Sequence, residues 1–126
     1  MQKILVAEDN KDLSMILVKR LEASGFAVEA VESGYTLMAH LKVGSAPDAI
    51  VLDLMLPDRS GAELLGAIIQ TWEKTKVFIF SAYAESSGRP MLKDCSISGY
   101  FCKSDGIEKL IVAIRAELAG TDDKKG

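Results

Sequence analysis

Five short apolar runs alternate with stretches of helical periodicity along this chain. The runs are Ile4 to Ala7, Ala27 to Val31, Ala49 to Leu52, Val77 to Phe80 and Tyr100 to Cys102. Each run is too short for a helix, and several are bounded by Gly, Pro or Asp, which is typical of β-strands. Because strands that alternate with helices pair in parallel and are covered on both faces, the pattern predicts an α/β fold with one parallel sheet.

Apolar residues recur at steps of three and four in four of the five segments that follow these runs, which indicates amphipathic helices. The stripes are Leu13, Ile16, Leu17 and Leu21; Leu37, Met38 and Leu41; Leu64, Leu65, Ile68, Ile69 and Trp72; and Ile107, Leu110, Ile111, Ile114 and Leu118. The exception is Glu85 to Ser96, where Gly88 and Pro90 oppose a helix interior, Pro by about 3 kcal/mol. We expect a short or broken helix that begins near Arg89 or Pro90, with rapidly exchanging amides over Glu85 to Leu92.

Length and charge exclude several classes of protein. The 126 residues fit one domain, which we expect to span 1–119, followed by a disordered polar tail over 120–126. A net charge of −3 gives no general attraction to nucleic acid or to anionic membranes. No apolar run approaches the roughly 20 residues of a membrane helix, and Cys95 and Cys102 have neither redox-motif nor zinc-site spacing. We expect a cytoplasmic protein with reduced thiols.

The residues that follow the predicted strands share one rim of the sheet, because ligand groups in such sheets gather beyond the carboxyl ends of the strands. Glu8 and Asp9 follow the first strand, Asp53 the third, Ser81 the fourth and Lys103 the fifth. Each of these residues alone has an ordinary explanation as a helix cap, a turn or a surface charge. Their joint placement at four strand ends is the informative feature.

Three carboxylates in one crevice repel one another unless a cation lies among them. A hard divalent ion such as Mg2+ is a natural partner, since it binds one or two carboxylates directly and leaves room for a phosphoryl oxygen. Lys103 adds a second positive charge, and Ser81 adds a hydroxyl donor. A carboxylate surrounded in this way is well arranged to attack phosphorus.

With these residues in place, the chain resembles the receiver domain of two-component response regulators. The likeness covers about residues 2–119 and rests on four segments, Ile4 to Asn10, Asp48 to Gly61, Phe80 to Ala82 and Gly99 to Lys103. The second segment is the specific one. The resemblance implies a flavodoxin-like (βα)5 fold with a five-stranded parallel sheet of order 2-1-3-4-5.

The resemblance also implies roles for the rim residues. Asp53 matches the phosphoacceptor. Asp9 and Asp53 match direct Mg2+ ligands, with Met55 contributing its backbone carbonyl, and Glu8 matches the acid that holds the metal through water.

Three further residues match the switch machinery of such domains. Ser81 matches the hydroxyl that moves toward the new phosphate, and Lys103 matches the lysine that pairs with that phosphate. Tyr100 matches the aromatic residue whose rotamer changes on activation. Because phosphorylation adds about −1.5 to −2 charge, these residues together form a two-state element under local electrostatic control. A half-buried strand aromatic is the ordinary alternative for Tyr100.

The implied function is a phosphoacceptor switch of a phosphorelay, which catalyses its own phosphorylation and dephosphorylation without being a conventional enzyme. The implied donor is a histidine kinase or a histidine phosphotransfer protein, and the downstream protein stays unknown. We expect a monomer or weak dimer with no direct nucleic-acid or membrane contact. The main alternative is a receiver-like interaction module that is never phosphorylated. An aspartyl-phosphate hydrolase is less favoured, because its general acid would normally occupy the position of Met55.

Two features need a structural test. Family members usually have Pro after the lysine, often with a cis peptide bond, whereas this chain has Ser104. Because a non-proline cis bond costs about 2.5 to 4 kcal/mol, we expect a trans bond, with Ser104 or Asp105 capping the last helix. In receiver domains, which the chain resembles, the positions of Met55 and Tyr83 flank the phosphorylation site and tune the access of water to it. The bulk of these two side chains therefore implies restricted access for water and slow self-hydrolysis.

Overall fold

The computed structural model describes residues 1–82 and 97–123 of the chain and contains a five-stranded sheet in the order β2-β1-β3-β4-β5. Every neighbouring pair of strands is parallel. The predicted fold class and strand order are therefore confirmed. The strands are β1 Lys3–Ala7, β2 Ala27–Val31, β3 Ala49–Leu52, β4 Lys76–Ser81 and β5 Gly99–Cys102.

Four α-helices lie in the described part of the chain, at the four positions where the sequence shows apolar stripes. They are α1 Lys11–Ala23, α2 Gly34–Val43, α3 Gly61–Thr71 and α4 Glu108–Asp123. The first three helices are capped at their N-termini by side-chain oxygens, each of which accepts a hydrogen bond from a backbone amide. Asn10 accepts from the amide of Leu13, Ser33 from that of Thr36, and Ser60 from that of Glu63. Such caps satisfy amide groups that the helix itself leaves unpaired.

The sheet separates two apolar cores, because alternate strand residues point to opposite faces. Leu5 and Ala7 of β1 face α2 and α3, whereas Ile4 and Val6 face α1 and α4. β3 is buried along its whole length, and the edge strands β2 and β5 are more exposed. This double coverage explains why the central strands are continuous apolar runs rather than alternating ones.

The C-terminal boundary differs from the sequence-based expectation. Helix α4 continues to Asp123 and so includes the first part of the segment predicted to be a polar tail. Residues 124–126, the predicted helix within Glu85 to Ser96, and the predicted fast exchange over Glu85 to Leu92 lie outside the described residues. Within the described ranges, none of the helices is long and apolar enough to cross a bilayer.

Candidate functional site

Two buried carboxylates stand side by side at the carboxyl ends of β1 and β3. The strands pair so that Ala7 lies opposite Leu52, and each is followed by an acidic residue, Glu8 or Asp53. The amide of Asp53 donates to the carbonyl of Ala7 at 3.1 Å, which extends the ladder by one step. Glu8 and Asp53 are each only 2 % exposed. Since buried carboxylates are rarely left without a partner, this position calls for a cation.

Lys103 supplies a cation to both carboxylates. Its Nζ lies 2.8 Å from Asp53 Oδ2 and 2.9 Å from Glu8 Oε1. Lys103 begins a short 3-10 turn over Lys103–Asp105 directly after β5, so its side chain reaches across the rim from the far edge of the sheet. The structure thus brings together three of the predicted site residues, from three separate strand ends.

The charge states of this cluster follow from burial and pairing. Burial raises the pKa of Glu8, and the hydrogen bonds from Lys103 and from the amide of Asn10 offset that effect only in part. Burial alone would lower the pKa of Lys103, but its hydrogen bonds to Asp53 and Glu8 outweigh burial and raise this pKa. Lys103 is therefore a firmly held ammonium, while the buried Glu8 carboxylate binds a proton more readily than an ordinary glutamate.

Backbone amides fix the orientation of both buried carboxylates. The amide of Asn10 donates to Glu8 Oε2 at 3.0 Å, and the amide of Met55 donates to Asp53 Oδ1 at 2.9 Å. One carboxylate oxygen of Asp53 therefore accepts a hydrogen bond from a backbone amide, and the other accepts one from Lys103. A carboxylate held from both sides presents a defined edge to an incoming group.

Asp9 completes a group of three carboxylates that could hold a metal ion. Carboxylate oxygens of Glu8, Asp9 and Asp53 all lie within 4.8 Å of one another, and Asp9 is exposed while the other two are buried. An all-oxygen donor set with one open side fits a hard divalent cation such as Mg2+. Met55 lies in the loop just after Asp53 and is 47 % exposed, and its carbonyl as a metal ligand stays a prediction.

Ser81 and Tyr100 occupy the positions expected of the predicted switch pair, but their roles stay predictions. Ser81 ends β4, and its hydroxyl is fully buried with no hydrogen-bond partner among the described residues. An unsatisfied buried hydroxyl is costly and often marks a functional position. Tyr100 of β5 is half-buried and packs against the core under α2 and α3. Tyr83 lies outside the described residues, so the shielding of Asp53 from water stays a prediction.

The segment after Lys103 confirms one expectation and corrects another. The Lys103–Ser104 peptide bond is trans, as expected for a non-proline residue. The predicted cap of the last helix is wrong: Ser104 and Asp105 belong to the 3-10 turn, and α4 begins only at Glu108. The Ser104 hydroxyl instead lies 3.1 Å from Cys102 Sγ, a free thiol. The positive φ of Gly106 separates the turn from the helix, which local cap rules did not anticipate.

One residue near the site was missed at the sequence level. Asp58, in the loop between β3 and α3, accepts backbone hydrogen bonds from the start of α2. Its position in a turn-like stretch between Pro57 and Gly61 is visible in the sequence. Its partners lie more than 20 residues earlier in the chain, where no local spacing rule applies.

Comparison with known proteins decides the family. The model of the family "Response regulator receiver domain" matches residues 4–115, nearly the whole chain. This chain is a response regulator receiver domain. The match covers all five strands apart from Lys3, the first residue of β1. It also covers all the predicted site residues.

Individual relatives agree with this assignment. The receiver domain is 32% identical over 121 residues to the KDP operon transcriptional regulatory protein KdpE of Escherichia coli, covering 94% of this chain and 52% of KdpE. It thus spans about half the length of the curated relatives it matches. The response regulator TrrA of Thermotoga maritima, solved in complex with Mg2+-BeF, superposes with a TM-score of 0.80 at 26% identity, covering 92% of this chain and 98% of TrrA.

A more distant structure supports the fold alone. The CheY-like receiver domain protein of Methanospirillum hungatei superposes with a TM-score of 0.88 at 21% identity, covering 100% of this chain and 99% of that one. The agreement extends over the whole receiver domain, so the flavodoxin-like arrangement does not depend on close sequence similarity.

Proposed function

We propose that Asp53 accepts a phosphoryl group from a phosphohistidine of a histidine kinase or a histidine phosphotransfer protein. The observation that carries the proposal is the contact of the Lys103 ammonium with Asp53 and Glu8, beside the exposed carboxylate of Asp9. Membership of the receiver family supports it, because response regulators receive phosphoryl groups from histidine kinases. The phosphorylated domain then offers a changed surface to a downstream protein.

The transfer requires one bond to form and one to break. An oxygen of the Asp53 carboxylate attacks phosphorus, the P–N bond of the phosphohistidine breaks, and its electron pair stays on that ring nitrogen. Because the other ring nitrogen already carries a proton, the leaving group is a neutral imidazole. Lys103 lies close enough to pair with the transferred phosphoryl oxygens. Because such transition states carry charge on those oxygens, positioning and electrostatic stabilisation are what the site has to supply.

Glu8, Asp9, Asp53 and the carbonyl of Met55 are the proposed holders of Mg2+. When bound, this ion supplies positive charge that offsets the charge of the phosphoryl oxygens. The all-oxygen cluster supports this choice of ion, as does the Mg2+-BeF complex of TrrA. Glu8 and Asp53 are already oriented by backbone amides, so few side chains need to reorganise on loading.

Ser81 and Tyr100 are the proposed switch. The buried Ser81 hydroxyl has no partner in the described structure and gains one if it donates to a phosphoryl oxygen. Its movement toward Asp53 would release space beside the end of β4, into which the Tyr100 ring from the neighbouring strand β5 can turn. The gain of a hydrogen bond by a buried orphan hydroxyl, about 1 to 3 kcal/mol, is enough to bias a two-state element.

The proposal extends to the setting of the domain. The domain is proposed to be a monomer or weak dimer that contacts neither nucleic acid nor membrane itself. Its net charge of −3 supports this, because it gives no general attraction to these anionic surfaces. The free thiol of Cys102 fits a reducing, cytoplasmic compartment. The downstream partner is a protein that reads the switched surface.

The test is incubation with acetyl phosphate and Mg2+, followed by intact-mass measurement. The expected result is a gain of one phosphoryl group that disappears in Asp53→Asn and on omission of Mg2+. Asp12→Asn, which changes an exposed carboxylate of α1, is the matched control and should be labelled like the wild type. No mass gain in the wild type would favour the alternative, an interaction module that is not phosphorylated.

A further inference from the structure

Asp58 joins the loop that follows the phosphorylation site to the start of α2. Its Oδ1 accepts from the amide of Gly34 and its Oδ2 from the amide of Tyr35, both at 2.8 Å. These two bonds hold the pKa of Asp58 below its ordinary value. The contact is therefore made by an ionised carboxylate at the positive end of a helix, where it is favourable.

Asp58 completes the cap of α2 rather than duplicating it. Ser33 already accepts from the amide of Thr36, and the amide of Leu37 donates to the Ser33 carbonyl. The amides of Gly34 and Tyr35 are the remaining donors of the first turn, and Asp58 takes both. Of these four amide groups at the start of α2, Ser33 therefore accepts hydrogen bonds from two and Asp58 of the distant loop from the other two.

Close packing seats the same loop at two further points. A Cβ on Gly34 would lie 2.4 Å from Arg59 Cγ, so only glycine lets the loop approach α2 this closely. A Cβ on Gly61 would lie 2.8 Å from the carbonyl oxygen of Leu54, so the other end of the loop is also closely packed. Leu54 and Leu56 are also buried in the core under α2 and α3. The loop from Leu54 to Ser60 is consequently fixed against α2 and α3.

This fixed loop carries the amide that orients Asp53. The Met55 amide donates to Asp53 Oδ1 at 2.9 Å, and Met55 lies three residues before Asp58. We propose that Asp58 is a positioning residue for Asp53: by binding the start of α2, it holds the Met55 backbone where it orients the phosphoacceptor carboxylate. The chemical consequence rests on the proposed phosphorylation of Asp53, whereas the structural one does not.

The experiment compares Asp58→Ala and Asp58→Asn with Ser33→Ala. All three weaken the cap of α2, but Ser33→Ala leaves the loop contact intact and so controls for loss of helix stability. Two quantities are measured for each: the exchange rate of the Met55 amide by NMR, and the rate of phosphorylation by saturating acetyl phosphate with Mg2+. Thermal unfolding verifies that the variants are folded and comparably destabilised.

The expected result separates the loop variants from the cap control. Asp58→Ala should exchange the Met55 amide about tenfold faster and accept phosphate about tenfold more slowly, because small displacements of a reacting group are costly. Asp58→Asn keeps one acceptor and should fall between Asp58→Ala and the wild type, which keeps the test decisive if Asp58→Ala does not fold. Ser33→Ala should match the wild type in both quantities.

Two contrary outcomes have different meanings. If the Asp58 variants and Ser33→Ala behave alike in amide exchange and in rate, Asp58 is only a helix cap and the inference is overturned. If the wild type takes up no phosphate, the proposed function fails, but the Met55 amide still decides whether Asp58 positions the backbone beside Asp53.

Discussion

Replacing Lys103 with Met tests the electrostatic balance of the site most sharply. Lys103 is the partner of two carboxylates that are each 2 % exposed, and its own side chain is 23% exposed. Removing one partner from a fully buried ion pair costs about 3 to 5 kcal/mol, whereas an exposed pair contributes about 0 to 1 kcal/mol. Since Lys103 lies between these limits, we expect Lys103→Met to lose about 2 kcal/mol of stability without Mg2+ at neutral pH.

For a domain of 126 residues this loss corresponds to a Tm about 8 °C lower. The assay is urea unfolding followed by the fluorescence of Trp72, which is buried at the end of α3. Lys109→Met, at an exposed position of α4, is the matched control and should stay within about 0.5 kcal/mol of the wild type. Because a divalent cation would replace the missing positive charge, adding Mg2+ should recover part of the loss.

Acid should also reduce the effect of Lys103→Met. Burial already raises the pKa of Glu8, and removal of the ammonium raises it further, so the folded variant binds a proton more tightly than the unfolded chain. The stability that the variant has lost relative to the wild type is therefore partly regained as the pH falls through this raised pKa toward the ordinary glutamate range. A variant as stable as the wild type at neutral pH without Mg2+ would show that the two buried carboxylates do not depend on Lys103 for their stability.

Two further predictions concern the scaffold. The pKa of His40 is raised by its hydrogen bonds to Glu29 and to the carbonyl of Thr36. The stability that protonated His40 contributes is therefore fully present below the pKa of the unfolded chain and is lost as the pH rises through the pKa of the folded one. Relative to His40→Gln, the free energy of unfolding of the wild type, measured with urea, should fall by up to about 1 kcal/mol between pH 5.5 and 8.5. A difference between the two proteins that stays constant over this range would contradict this prediction. Gly61→Ala should lower the free energy of unfolding by about 1 to 3 kcal/mol, because the new Cβ collides with Leu54. Gly66→Ala, whose Cβ meets open space on the same helix, should raise it by up to about 1 kcal/mol. Equal changes in Tm for the two variants would contradict this prediction.

The fold followed from local patterns to an unusual degree. The predicted runs Ala27 to Val31 and Ala49 to Leu52 are the observed β2 and β3, and the other three strands differ by one residue at one or both ends. Continuous apolar runs and helical stripes are enough here, because a doubly covered sheet imposes both periodicities strongly. The rule that strand ends share a rim also brought Glu8, Asp53 and Lys103 together correctly, since the parallel register aligns Ala7 with Leu52.

What the sequence could not supply depends on contacts between distant segments. Asp58 reads locally as a turn residue, and only the packed fold brings it to the start of α2. Ser104 has the chemistry of a helix cap, but its hydroxyl forms a hydrogen bond with the Cys102 thiol. It cannot cap the last helix because Gly106, with its positive φ, lies between Ser104 and the helix, which begins at Glu108. In each case a short polar side chain had several possible partners, and tertiary packing selected one of them.

Locating the phosphorylated residue is the decisive test of phosphoryl transfer to Asp53. After labelling with acetyl phosphate and Mg2+, borohydride reduces an acyl phosphate to an alcohol, and peptide mass spectrometry identifies the modified side chain. We expect modification of Asp53 alone, the carboxylate held by both the Met55 amide and Lys103. Modification of Asp9 or Glu8 in its place, or of no carboxylate at this rim, would contradict it.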